Sequence, residues 1–353
     1  MRYPALKIDL AKLENNTRFL VEKCAHYGIG VSAVTKVFCG IPEAAEAMAR
    51  GGAAYLADSR IENLMKMRNI NLPKMLLRIP MLSQVDEVID YADISLNSEH
   101  EVISALSNAA IKKGKTHDII LMVDLGDLRE GVWADGAVEY AGRILEFNGI
   151  RLIGIGTNLT CYGAVIPKAD NLSKLTDIAD RIEQRFGIKL SIISGGNSSS
   201  LYLLEEGAMP KRINNLRLGE SIVLGNETAH GNSIKGTFYD CFTFCAEIIE
   251  LKEKQSVPIG EIGVDAFGNK PTYVDRGIRK RAILAAGRQD VRPDGLSPKD
   301  DAIIILGASS DHMIIDVTDS CRDYSIGDIV EFTLDYGALL LTSTSEYVEK
   351  VIK

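Results

Sequence analysis

Long apolar runs are missing from this 353-residue chain. None approaches the roughly 20 residues that span a bilayer. The opening residues, Met1 to Asp9, lack the unbroken apolar segment of a secretory signal. An excess of positive charge is missing too. Forty Lys and Arg stand against 48 Asp and Glu, a formal charge of −8, so no general attraction to nucleic acid or anionic membrane is expected. Cysteine is scarce: Cys24, Cys39, Cys161, Cys241, Cys245 and Cys321 form no Cys-x-x-Cys pair, which excludes a disulfide framework. The five histidines have no ligand spacing, so no metal site is expected. The expected location is the cytoplasm.

What is present is an alternation. Up to about residue 225, short β-branched or apolar runs (31–36, 54–58, 74–79, 94–97, 119–125, 152–158, 190–194 and 215–223) are each followed by a longer segment. Several of those segments have helical period, among them 43–50, 61–68, 99–113, 138–147, 169–186 and 199–206. The runs are apolar nearly throughout, as strands of a parallel sheet buried on both faces are. Eight such units predict an α/β fold, a (β/α)8 TIM-type barrel over residues 1–228. From about residue 229 long helical segments give way to strands and Gly-, Pro- and Asp-containing turns, which predicts a C-terminal all-β domain over 229–353. The first ten residues include a strand candidate for pairing with that domain.

Chemistry in such a barrel gathers at the C-terminal ends of its strands. Lys36 closes the first run; desolvation there would lower its pKa and free an amine for Schiff-base chemistry, although a lone lysine can equally snorkel to water. After the seventh run comes Ser194-Gly195-Gly196-Asn197-Ser198-Ser199-Ser200, a turn whose glycines and free N–H groups suit a phosphate, or simply a serine-rich cap. Gly219, Glu220 and Ser221, on the eighth, would complete that cradle. Arg129, in Asp124-Leu125-Gly126-Asp127-Leu128-Arg129-Glu130-Gly131, either clamps a substrate carboxylate or pairs with Asp127 or Glu130. A strand-end lysine, a phosphate cradle and a carboxylate clamp together point to pyridoxal phosphate acting on an amino acid.

These residues resemble the fold-type III pyridoxal-phosphate enzymes of the alanine racemase group, and within it the ornithine racemases. Val34-Thr35-Lys36-Val37-Phe38-Cys39-Gly40, Ala57-Asp58-Ser59-Arg60-Ile61-Glu62-Asn63-Leu64 and the Asp124–Gly131 stretch carry the resemblance, which spans essentially the whole chain. It implies pyridoxal 5'-phosphate as cofactor, held by Lys36, with Asn197, Ser198, Gly219, Glu220, Ser221 and Tyr336 at its phosphate and Arg217 at its ring nitrogen. It implies Lys36 as a proton-transferring base and Arg129, Ser310, Asp311 and Arg288 as substrate contacts. Arg288 stands where the group has a tyrosine base; a guanidinium stays protonated, so the opposite-face proton carrier is left open among Tyr239, Tyr273, Cys241 and water. For a substrate's side-chain ammonium, Asp127, Glu130 and Asp311 are the candidate partners. The implied activity is racemisation of ornithine, the partner a second copy of the chain sharing its active sites. Alternatives are racemisation of alanine or lysine, a same-fold decarboxylase, a non-catalytic carrier of the cofactor and a Schiff-base aldolase.

Overall fold

The computed structural model describes every residue except Ala266. The chain forms two compact units, one of Leu10–Tyr239 and one of Met1–Asp9 with Asp240–Lys353.

The larger unit holds strands β2 (Gly30–Val34), β3 (Tyr55–Asp58), β4 (Lys74–Leu76), β5 (Ile94–Asn97), β6 (His117–Asp124), β7 (Val132–Trp133), β8 (Ile150–Gly156), β9 (Ile192–Ser194) and β10 (Asn215–Leu218). All of these except β7 pair in parallel in the order β2-β3-β4-β5-β6-β8-β9-β10, and β10 returns to β2, closing an eight-stranded barrel; β7 pairs beside β6. Its helices are α1 (Leu10–Ala25), α2 (Pro42–Arg50), α3 (Ile61–Lys66), α4 (Val85–Tyr91), α5 (His100–Lys112), α6 (Ala137–Ile144), α7 (Ala169–Phe186), α8 (Tyr202–Glu205) and α9 (Glu220–Leu224). Strand residues such as Val34, Ala57, Met75, Leu96, Ile120, Met122 and Ile192 pack into one buried cluster, so the barrel is a filled core and leaves chemistry to its rim. No helix among the described residues is long and apolar enough to cross a membrane.

The smaller unit is an eight-stranded sheet of β1 (Ala5–Ile8), β11 (Phe242–Gln255), β12 (Ile278–Leu284), β13 (Leu296–Pro298), β14 (Ile304–Ala308), β15 (Met313–Asp316), β16 (Ile329–Leu334) and β17 (Glu349–Ile352), with one helix, α10 (Tyr336–Thr344). β1 pairs antiparallel with β11 and parallel with β17, which draws the N-terminus into this unit. Phe242, Phe244 and Phe332 are fully buried at its centre.

Three details depart from the sequence expectations. The division falls after Tyr239, not after residue 228, because Asn16 of α1 both donates to Phe238 O and accepts from Phe238 N, tying 229–239 to the barrel. The strand expected over 215–223 stops at Leu218; Gly219 breaks it and Glu220–Leu224 is helical. Helix α10 went unseen because its apolar residues wrap around the axis without a stripe; the Asp335 side chain caps it by accepting from Ala338 N at 2.7 Å.

A buried histidine gives the fold a pH signature. His117, at the start of β6, is 4% exposed, and its Nε2 lies 2.8 Å from Ser95 Oγ. Burial lowers its pKa from the ordinary 6.5 to about 4. The unfolded chain therefore binds this proton more readily, and stability present above pH 6.5 is lost as pH falls toward 4. The loss expected from this group is on the order of 3 kcal/mol. Urea midpoints should fall less steeply across that window in His117→Gln than in the parent; parallel curves would contradict the assignment.

Candidate active site

The barrel's rim is assembled from short turns at the strand ends. After β2, Thr35 turns the chain into a short helical segment that begins at Lys36. The turn is held from beneath by Asp58, which is fully buried at the end of β3. Its carboxylate accepts from Thr35 Oγ1 at 2.6 Å, Arg60 N at 2.9 Å and Asn63 Nδ2 at 3.0 Å. Lys36 is thereby delivered to the rim on a fixed backbone. Burial lowers the Lys36 pKa, and the Arg129 guanidinium lowers it further, against the opposing pull of Cys161, Asp58 and Glu130. An amine in that setting loses its proton more readily than one in water.

Arg129 sits on a loop whose shape is set by Asp124: its Oδ1 accepts from Gly126 N at 2.8 Å and Leu128 N at 3.3 Å. The loop then takes Leu128 into the left-handed region (φ 55°), a strained conformation for a γ-branched residue. Gly131 closes it at φ 132°, where a Cβ would lie 2.5 Å from Asp124 N, so no other residue fits. Of the two partners the sequence offered Arg129, the structure selects Glu130, with Nε to Oε2 at 2.9 Å. Burial raises the Glu130 pKa, while Arg129, Arg217 and Lys36 all act to lower it. Asp127 is occupied elsewhere. It is buried, and its two oxygens accept from Tyr162 N at 2.9 Å and Val165 N at 3.1 Å, so it fastens the loop after β8. That loop carries Cys161, close enough to act on Lys36.

The turn after β9 is shaped by Gly196 at φ 111° and by Asn197. Asn197 Nδ2 donates to Asn158 Oδ1 at 3.0 Å and Leu159 O at 2.9 Å, and its Oδ1 accepts from Ser199 N at 2.8 Å. The Asn197 side chain is thus consumed in fixing the turn. Ser198 Oγ lies 3.0 Å from Ser221 Oγ and accepts from Ser221 N at 3.2 Å, which joins this turn to the one after β10. Gly219 rests on β2, where an added Cβ would stand 3.2 Å from Val34 Cβ. Arg217 is 4% exposed and donates to Ser194 Oγ, to Thr157 O at 2.7 Å and to Asn158 Oδ1 at 3.4 Å. Burial lowers its pKa to about 10, with Glu130 opposing and Arg129 assisting, so it remains a cation at neutral pH.

Lys36, Arg129, Asn197, Ser198, Arg217, Gly219, Glu220 and Ser221 therefore all belong to the barrel unit. The other four expected residues belong to the smaller unit. There, Arg288 N donates to Ser309 O and Gln289 N to Ser310 O; Arg288 Nε donates to Ala308 O, and its guanidinium lies 4.7 Å from the Phe267 ring centre. Asp311 accepts from Ser309, Ser310 and His312 side chains. Arg288, Ser310 and Asp311 are one cluster; Tyr336 opens α10. Of the acids and bases left open, Cys241 is fully buried, whereas Tyr239 and Tyr273 are exposed. Sequence reading offered Glu130 as a partner for Arg129 or for a substrate ammonium; that it also acts on Arg217 and Lys36 had no signal in the sequence.

The chain matches the family model described as alanine racemase, N-terminal domain, over residues 8–227. The chain belongs to the alanine racemase family. Among curated members, an ornithine racemase from Acetoanaerobium sticklandii is 53% identical over 349 residues, 99% of each chain. A lysine racemase from Thermotoga maritima is 43% identical over 353 residues, again 99% of each. The fold is that of a solved alanine racemase from Bartonella henselae with covalently bound pyridoxal phosphate, at a TM-score of 0.75, 18% identity and full coverage of both chains.

The residues present suit such a cofactor. The cradle is lined with backbone and hydroxyl groups, and Ser199 Oγ and Thr157 Oγ1 are buried there with no hydrogen-bond partner. Beside it stand one lysine with a lowered pKa and one cation that does not lose its proton near neutrality.

Proposed function

We propose that this protein interconverts L- and D-ornithine. It is an amino-acid racemase of the alanine racemase family, dependent on pyridoxal 5'-phosphate. The observation that carries the reading is the Lys36 amine, desolvated at the barrel rim in the same unit as a buried arginine, Arg217, and a hydroxyl-lined turn. Identity of 53% along the whole chain to an ornithine racemase supports ornithine as substrate. Lysine, one methylene longer, is the second reading, supported by the 43% identical lysine racemase.

When bound, the cofactor supplies an electron-withdrawing ring that makes the substrate's α-hydrogen acidic. Lys36 Nζ holds it and moves the α-proton on its own face; the lowered pKa keeps that amine available as a base. Ser198, on the turn that Asn197 shapes, would hold the phosphate together with Gly219, Glu220 and Ser221 on the turn after β10. Arg217, a buried cation held by Ser194 and Thr157, would stand at the ring nitrogen and disfavour its protonation, limiting electron withdrawal to what proton exchange needs. A decarboxylase of this fold would place an acid there. Arg129, aimed by Glu130, takes the substrate carboxylate. Arg288, Ser310 and Asp311 bind substrate from the smaller unit of a second copy, making the enzyme a homodimer with shared sites. The cytoplasm is its location.

Incubation with L-ornithine and the cofactor in heavy water should give α-deuterated L- and D-ornithine. Absence of both deuterium and D-ornithine would remove the ornithine reading, and turnover of lysine alone would favour the second. Ser198→Ala should raise the cofactor's dissociation constant about tenfold, the effect of losing one hydrogen bond to a charged group, as read by fluorescence titration.

A further inference from the structure

Beneath Arg217 runs a line of buried polar side chains that the reaction does not itself require. Ser32 on β2, Ser194 on β9 and Asn215 on β10 are 0%, 0% and 2% exposed. Asn215 and Ser194 are register partners across the β9–β10 pair, and Asn215 lies two residues before Arg217 on the same strand and face. Asn215 Nδ2 donates to Ser32 Oγ at 2.9 Å, and Ser194 Oγ donates to Asn215 Oδ1 at 2.7 Å. Arg217 Nη1 donates to Ser194 Oγ.

The direction of every bond in this line is set. Gly30 O lies 3.5 Å from Asn215 Nδ2 and can only accept, so the amide nitrogen faces Ser32 and the amide oxygen faces Ser194. A hydroxyl has one proton, and that of Ser194 goes to Asn215. What Ser194 presents to Arg217 is therefore a lone pair, which accepts from a guanidinium and offers it no proton. With Thr157 O and Asn158 Oδ1 on the other nitrogen, the plane of the guanidinium is fixed from two sides.

We propose that Asn215 is a positioning residue for Arg217. By orienting Ser194 as an acceptor, it holds the guanidinium in the one arrangement that keeps its charge toward the cofactor's ring nitrogen. This rests on the function proposed above. Buried polar side chains in a barrel interior need partners in any case, but a pair of apolar residues would fill the same volume without the cost of desolvation. A line of three, ending on the one buried arginine of the site, makes sense when the orientation of that arginine matters.

The test uses holoenzyme variants Asn215→Leu, Asn215→Asp and Ser194→Ala, with kcat and KM for racemisation and the visible absorbance of the bound cofactor followed against pH. Aspartate still accepts from both serines; leucine does neither. Asn215→Leu and Ser194→Ala should lose about 10- to 100-fold in kcat with KM little changed, the range seen when outer-shell partners of an active-site group are removed. Their cofactor absorbance should titrate at a higher pH than the parent's, since a looser Arg217 opposes protonation of the ring less. Glu130 and Arg129, which also act on Arg217, are the same in all variants. Asn215→Asp, which still orients Ser194, should keep kcat close to the parent's, while its added charge is expected to move the spectral titration on its own account. A purely structural role would lower the melting temperature and leave the spectral titration where it was; that result, or equal impairment of the leucine and aspartate variants with an unmoved titration, overturns the inference. Should Asn215→Leu fail to fold, Ser194→Ala, which removes a single oxygen, decides. A parent enzyme that binds cofactor but is idle with ornithine sinks the substrate reading alone, and the spectral readout still decides this one.

Discussion

Replacement of Lys36 by alanine is expected to leave the protein folded and racemase activity about 10^4-fold lower, the upper end of the range for loss of a proton-transferring side chain. The side chain is not part of the barrel's apolar cluster, and the turn beneath it is held by Thr35, Asp58 and Asn63, none of which depends on the lysine amine. Circular dichroism and melting temperature should therefore stay near the parent's while kcat collapses. Added methylamine offers a small mobile amine in place of Nζ and should restore a fraction of the rate. An alanine variant that racemises ornithine at the parent rate would place the chemistry on another group.

Arg217→Glu should lower kcat for racemisation by roughly 10^2- to 10^3-fold, comparable with removal of one preorganised charge from an active site. The sign follows from charge. The guanidinium stays protonated with a pKa of about 10 and gives the ring nitrogen no proton, whereas a carboxylate there would hold one on the ring. The variant also sets a second acid near Glu130, whose pKa burial already raises, so Glu130 should take up a proton at a higher pH than in the parent. Arg217→Ala is a useful companion. It leaves Ser194 Oγ and Thr157 O buried without their donor, at a cost of about 1–3 kcal/mol each, so denaturant unfolding should register it. A glutamate variant with parental kcat would mean that the charge at residue 217 does not govern the reaction.

The barrel was legible because its strands are short apolar runs separated by helix-length segments, and because a parallel sheet covered on both faces has no polar alternation to confuse the reading. Lys36 and Asn197 were legible for the same reason, each standing at or just beyond the end of such a run, whereas Arg217 lies inside the run 215–223 and was marked by the family resemblance alone. What sequence could not show is how side chains pair across strands far apart in the chain. Nothing in the pattern distinguishes Asp127, locked to Tyr162 and Val165, from Glu130, three residues on and paired with Arg129. Asn197 reads as a ligand of phosphate, yet its side chain is spent on Asn158, Leu159 and Ser199. The line from Ser32 through Asn215 to Ser194 joins three strands and has no local signature at all. The end of β10 was missed because the run 215–223 is apolar whether it continues as strand or turns into helix, and only Gly219 marked the break.

Borohydride reduction of the holoenzyme followed by peptide mapping tests the central claim most directly. The predicted result is a single pyridoxyl adduct on the peptide that contains Lys36. An adduct on any other lysine, or none, would contradict it.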